Sequence, residues 1–346
     1  MSRAVIITED ISDPIDEGIK KFSFYLAKYV EDSGADNLIF SCFPNKSLTN
    51  VKSLPANKLL FSVNFFKKLY KSKPTLLIYV PFSSSTFMSF IRMSLLSLFA
   101  PKAKIIMVSV QERKHNYISK KVISLLKPDW LIVLSNKQAN YYREMGFQTI
   151  VSPIGVEASK YCEITLDEKS KLRQKLNLPI NEKIVLHVGH INKGRNLEIL
   201  RKLLSKGFRV VIIASTRFES DLKLKLELEE EGYLFVSDYI ENIEEYYQAS
   251  DIYVFPVLSA VNAMEFPMSV LEAMSCNIPV ITTRFGGIES FLPETNWFKY
   301  FLNEEELISK IVSFPTNSKC ANRELVLSKF SWMNVFNNLF SNNKLV

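Results

Sequence analysis

Only four cysteines, three histidines and ten glycines occur in this chain of 346 residues, and each shortage removes a class of function. Cys42, Cys162, Cys276 and Cys320 are scattered, with neither metal-ligand spacing nor a paired framework. A disulfide-stapled scaffold and a zinc centre are therefore not expected, and a reducing compartment is. There is no Asp-x-Asp pair to hold a catalytic metal, and no metal or other cofactor is expected. No Gly-x-Gly-x-x-Gly follows the first strand-like run, which disfavours a dinucleotide dehydrogenase. The opening MSRAVIITED enters a strand directly, without the apolar core of a signal peptide. The apolar stretch 84–100 contains Arg92 and falls short of the roughly 20 residues that cross a bilayer. It reads as a helix sandwiched in a core or, alternatively, as one that dips into a membrane surface beside Lys67, Lys68, Lys71 and Lys73. The lysines are dispersed and no recognition motif accompanies them, so nucleic acid is not an expected partner.

What is present is the composition of a globular protein, 47% hydrophobic and 23% charged, with length enough for two domains. The net charge of +7 is uneven. Residues 1–165 hold 22 Lys and Arg against 13 Asp and Glu, and the remainder 21 against 23. A basic first half suits an anionic partner such as an acidic lipid headgroup or a pyrophosphate-linked acceptor, or is simply a solvated surface.

Hydrophobic runs alternate with amphipathic ones from the start, the rhythm of a doubly wound α/β domain. Strands are expected at 3–8, 37–42, 75–81, 103–110, 130–135 and 149–152, with helices between them. Gly18 opens the first helix after an acidic loop. The segment 151–157 (VSPIGVE) closes this domain, and residues to about 167 form a linker. The second half repeats the pattern. A strand at 184–188 leads into the loop Gly189–Lys193 and an expected helix at 194–204. Lys193, Arg195 and that helix start together suit the charge of a diphosphate.

The chain is organised around residues 264–287, MEFPMSVLEAMSCNIPVITTRFGG. Pro267 suits the first turn of a helix, and Asn277 and Pro279 stop it. Glu272 falls three residues after Ser269 and four after Met268, on one face. Val270, Leu271 and Met274 take the opposite, core-facing side. On the open face Glu272 is placed to accept hydrogen bonds from a pair of sugar hydroxyls. PVITT then reads as a buried parallel strand.

This stretch resembles the nucleotide-sugar signature of retaining GT-B glycosyltransferases, in particular glycosyltransferase family 4 (group 1). The resemblance implies an α/β fold of GT-B architecture, two facing Rossmann-like domains with a cleft between them. Its expected extents are 1–160 for the acceptor side, 166–330 for the nucleotide-sugar side, and 331–346 for a helix returning to the first domain. It implies metal-independent sugar transfer, with retention, from a nucleotide diphosphate sugar to an acceptor hydroxyl in polysaccharide or glycoconjugate synthesis. UDP- or GDP-sugar is the expected donor and a glycan or lipid-linked molecule the expected acceptor. The location is cytoplasmic, with the inner face of a membrane as the alternative.

Residue by residue, the resemblance puts Gly189, His190, Lys193, Arg195, Tyr239, Ile240, Met268, Ser269, Val270 and Glu272 on the donor, with Glu272 on the ribose. His190 stands where the family has an arginine, so Arg195 is expected to substitute. Gly18 lies on the acceptor side. Gln111 stands where many members have a histidine; it hydrogen-bonds but carries no proton as imidazole does. The family's first glutamate, separated from the second by seven residues, falls on Met264, and Glu265 stands one residue late. Either Glu265 still reaches the sugar or that role is altered; Glu265 and Gln111 are the catalytic candidates. Two alternatives stay open: a catalytically silent GT-B-like binding protein, and a nucleotide-sugar epimerase.

Overall fold

The computed structural model describes every residue except 1–2, 16, 34–36, 55–60, 215–220, 237–239, 259–263, 316–318 and 342–346. The chain divides into two compact units. The first holds residues 1–154, 264–266 and 332–346, and the second holds 155–263 and 267–331.

The first unit is built on β1 (Ala4–Asp10), α1 (Gly18–Asp32), β2 (Leu38–Phe43), β3 (Val51–Ser53), α2 (Val63–Ser72), β4 (Leu76–Val80) and α3 (Phe87–Phe99). It continues with β5 (Lys104–Ser109), α4 (Tyr117–Ile123), β6 (Trp130–Val133), α5 (Asn136–Arg143) and β7 (Thr149–Val151). All seven strands pair in parallel, in the order β3-β2-β1-β4-β5-β6-β7. Strands buried on both faces need continuous apolar runs rather than alternation, and LLIYV of β4 is buried throughout. Val5, Ile7, Leu77, Tyr79 and Met107 point to one face, where they share a core with residues of α2, α3, α4 and α5. Thus α3 is a core helix, with Phe90, Met93 and Leu96 buried, and its Arg92 donates to Glu9 at 2.6 Å. Among the described residues, no helix is long and apolar enough to cross a membrane.

The second unit contains α6 (Leu166–Lys175), β8 (Lys183–Gly189), α7 (Arg201–Leu204), β9 (Phe208–Ala214), α8 (Leu222–Glu230), β10 (Leu234–Val236) and α9 (Glu244–Ala249). Then come β11 (Ile252–Phe255), α10 (Met268–Ser275), β12 (Val280–Thr282), β13 (Phe298–Tyr300), α11 (Glu304–Val312) and α12 (Asn322–Lys329). Its six strands are parallel, in the order β10-β9-β8-β11-β12-β13. The last helix, α13 (Trp332–Ser341), belongs to the first unit and lies along α1. Trp332 stacks on Tyr25 at 5.0 Å, Phe22 meets Trp332 and Phe336 edge-on, and Tyr29 donates to Asn337 at 2.9 Å.

The helix expected at 194–204 is a difference. Residues 193–195 and 197–200 are separate 3-10 turns, and only 201–204 is α-helical. Asn196, in the left-handed region at φ 54°, breaks the run. Asparagine tolerates that conformation because its short amide bonds locally.

Candidate functional site

In each sheet the chain reverses its winding direction once, between β1 and β4 and between β8 and β11. Open parallel sheets bind ligands beyond the carboxyl ends of the strands at such a point. In the second unit the reversal brings together the loop after Gly189, the loop after Phe255 and the start of α10. Leu258 N–H donates to the Gly194 carbonyl at 3.1 Å and ties the first two together.

Arg195 lies in this loop and is 7% exposed. Burial lowers its pKa, and no carboxylate pairs with it among the described residues. A Cβ added to Gly189 would stand 3.0 Å from His187 Nε2, a tight approach, and at ordinary contact distance, 3.6 Å, from the Arg195 Nη1. Lys193, on the same turn, is exposed. His190 is half-buried, and burial first and the Arg195 charge second pull its pKa down to about 4. It is neutral at pH 7 and leaves the cationic character of the loop to Lys193 and Arg195. The helix start anticipated beside these cations is absent, because 193–195 is a single 3-10 turn. The amide donors come instead from α10, whose Pro267 cap has no side-chain hydrogen bond and whose first turn holds no acid. Met268, Ser269 and Val270 form that turn, with Ser269 half-buried beside the Tyr253 hydroxyl.

Glu272 is not on an open face. It is 5% exposed, as buried as Val270, Leu271 and Met274 around it. Tyr247 donates to its Oε2 at 2.9 Å, and Tyr161 hydrogen-bonds the same carboxylate. Both phenols are buried, and burial followed by the Glu272 charge holds their pKa values well above the ordinary one. They act only as donors, and they fix the carboxylate's rotamer. Arg323 and Asn322 of α12 fasten α10 from behind, Arg323 donating to the Ser275 and Tyr161 carbonyls and Asn322 to the Ile278 carbonyl.

One residue of the site that sequence reasoning missed is His187. It is fully buried in β8, donates from Nδ1 to the Val254 carbonyl at 3.0 Å, and stacks on Tyr253. Burial, only partly opposed by the Val254 carbonyl, pulls its pKa to about 3. The unfolded chain binds this proton near 6.5, so the stability involved is complete above that pH and is lost as pH falls from 6.5 toward 3. By pH 4 about 3 kcal/mol should be gone through this residue. Denaturant melts across that window should show a shallower pH dependence for His187→Gln than for the parent. The signal was a lone histidine inside the apolar run IVLHVG.

Ile240 is half-buried between β10 and α9, and Tyr239 lies outside the described residues.

The other candidates lie in the first unit. Gln111 follows β5; its Oε1 accepts from Arg113 at 3.0 Å, and its backbone is held by Ser84 and Gln138. Ser84 is buried with φ 59°, a conformation unusual for serine. Glu265 is 1% exposed, and its N–H donates to the Val110 carbonyl at 3.0 Å. Burial raises its carboxyl pKa, with Ser135 opposing and Glu112 adding to the shift. Met264 takes the other direction, toward Gly18. A Cβ on Gly18 would fall 1.9 Å from Met264 Sδ, so a side chain at the start of α1 would have to push that thioether aside. Gly18→Ala should cost about 1–2 kcal/mol, read as a loss in thermal stability that Met264→Ala in the same chain largely restores. Equal stability of the parent and Gly18→Ala would remove the contact from consideration. Among the described residues, no group of three His, Cys, Asp or Glu side chains is placed to hold a metal ion.

Comparison with known proteins gives a consistent result. Residues 168–323 match the family described as "Glycosyl transferases group 1". TuaC of Bacillus subtilis, a glycosyltransferase provisionally assigned to teichuronic acid biosynthesis, is 26% identical over 42% of this chain and 36% of its own. The sulfoquinovosyl transferase SQD2 of Arabidopsis thaliana is 27% identical over 40% of this chain and 27% of its own. The matches thus span about a third of the length of these curated relatives. Among solved structures, Anabaena HepE in complex with UDP shares the fold across 100% of both chains, with a TM-score of 0.77 at 15% identity.

Proposed function

We propose, on the premise that residues 168–323 are a domain of the glycosyl transferases group 1 family within a GT-B fold, that this chain transfers a sugar from a nucleotide diphosphate donor to an acceptor hydroxyl. The observation that carries the reading is Arg195: a buried cation beside a bare glycine backbone, with no carboxylate partner among the described residues. A buried charge is retained at a cost of several kcal/mol unless something of opposite sign meets it, and a diphosphate does. As the bond from the sugar's anomeric carbon to the phosphate oxygen breaks, its electron pair stays with the departing diphosphate. Lys193, Arg195 and the amides at the start of α10 oppose that growing charge with fixed dipoles. Glu272, its rotamer locked by two phenols, accepts from the ribose hydroxyls. Gln111 and Glu265 orient the transferred sugar.

The donor is a UDP-sugar in this reading, in keeping with the UDP bound by HepE. Retention of configuration, a glycan or lipid-linked acceptor and a role in polysaccharide or glycoconjugate synthesis complete it. Incubation with UDP-glucose and related donors, with release of UDP followed over time, is the test. Slow donor hydrolysis without acceptor is expected; isomerised donor without UDP would indicate an epimerase.

One observation favours a second reading. Met264 occupies the position of the family's first glutamate and packs on Gly18, whereas Glu265 is buried beside Ser135 and Lys137. A chain that binds the donor but cannot orient its sugar would be a silent binding protein. Donor binding without any turnover would select it.

A further inference from the structure

The stretch 61–148 of the first unit carries more net positive charge than the whole chain. Residues 61–148 contain 14 Lys and Arg against three acids, Glu112, Asp129 and Glu144. These residues supply α2, α3, α4 and α5, which cover one face of the sheet. Parallel strands and their crossover helices run in opposite directions, so α2, α3 and α4 all end at the edge where β4, β5 and β6 begin.

That edge is apolar as well as basic. Leu98 is 69% exposed at the end of α3, and Leu125, just beyond α4, is 84% exposed. Phe99 stacks on Phe66 at 4.5 Å yet stays partly open, and Tyr70, one turn beyond Phe66, is exposed. Lys71, Lys73, Lys102 and Lys127 stand among these side chains, all exposed. Between the starts of β5 and β6 lies an open pocket of about 320 Å³ lined by Lys104, Lys127, Asp129 and Trp130. Lys127 Nζ is seated on the Gly146 carbonyl at 3.1 Å, and Asp129 is engaged by the Ile105 N–H at 2.6 Å.

We propose that this edge docks on an anionic lipid surface, with Leu98, Phe99 and Leu125 entering the headgroup layer and the surrounding lysines meeting lipid phosphates. A lysine cluster alone would suit any polyanion. Exposed leucines at the same edge gain nothing from a nucleic acid backbone, whereas they gain directly from the acyl boundary. Tyrosine and tryptophan are the residues that settle at that depth, and Tyr70 and Trp130 lie here. The inference uses no part of the donor chemistry, so its failure would leave the transfer reading standing.

The test is co-sedimentation of the full chain with vesicles of phosphatidylglycerol and phosphatidylcholine, and with vesicles of phosphatidylcholine alone, at about 0.1 M salt. The parent should bind the mixed vesicles and not the neutral ones. The variant Lys71→Gln/Lys73→Gln/Lys102→Gln/Lys127→Gln should bind at least roughly 100-fold more weakly. Leu98→Ser/Leu125→Ser should lose roughly 10-fold. All six positions are exposed, and unchanged melting temperatures will show that both variants fold. The proposal is overturned if either variant binds like the parent, if neutral vesicles bind equally, or if a short RNA duplex displaces the vesicles and binds the leucine variant undiminished.

Discussion

Replacing Glu272 with alanine should lower UDP affinity about 100-fold and destabilise the second unit by roughly 3 kcal/mol. The two effects have different origins. The affinity loss comes from the missing carboxylate acceptors for the ribose. The stability loss comes from Tyr161 and Tyr247, buried phenols whose acceptor has gone; each unsatisfied hydroxyl costs its own desolvation. Glu272→Gln separates them. The amide oxygen can still accept from the tyrosines, so most stability should return, while a neutral acceptor binds ribose more weakly by about 10-fold. Calorimetric affinity and thermal melts on the two variants read both quantities. A Glu272→Ala protein that melts early but binds UDP undiminished would make this glutamate purely structural.

The second large effect is expected at Arg195. Arg195→Met keeps the volume and removes the charge, and turnover of donor should fall by about 10²–10³-fold. Stability should hold or rise, because a buried guanidinium without a carboxylate partner is replaced by an apolar chain. Lys193→Met, at an exposed position, should lower turnover less and leave the melting temperature unchanged. This opposition of activity and stability distinguishes a phosphate-binding cation from a structural one. A structural arginine would lose stability along with activity.

The strands were legible because parallel sheets demand uninterrupted apolar runs, as in AVII of β1, VVIIA of β9, Leu76–Val80 and Ile252–Phe255. The helix α13 was legible from the spacing of Trp332, Val335 and Leu339. Two short edge strands were not: Val51–Ser53 and Phe298–Tyr300 have three residues each, although the equally short edge strand Thr149–Val151 was expected. The helix expected after Lys193 failed at Asn196, where a left-handed residue interrupts a favourable pattern. The environment of Glu272 was also hidden. Helical spacing put the carboxylate with Ser269 and Met268, but its burial depends on Tyr161 and Tyr247, which come from the linker and from α9. Spacing along one helix carries no information about which distant side chains close over it. The offset between Met264 and Glu265 was visible in the sequence; that Met264 turns to Gly18 while Glu265 turns inward was not.

Titration of the full chain with UDP by calorimetry, run in parallel on the parent and on Arg195→Met, tests the central claim most directly. The expected result is single-site binding by the parent and a loss of at least about 10-fold in the variant, with both proteins folded. Binding of equal strength in the two proteins, or none in the parent, would contradict the assignment of a nucleotide diphosphate to the loop between Gly189 and Arg195.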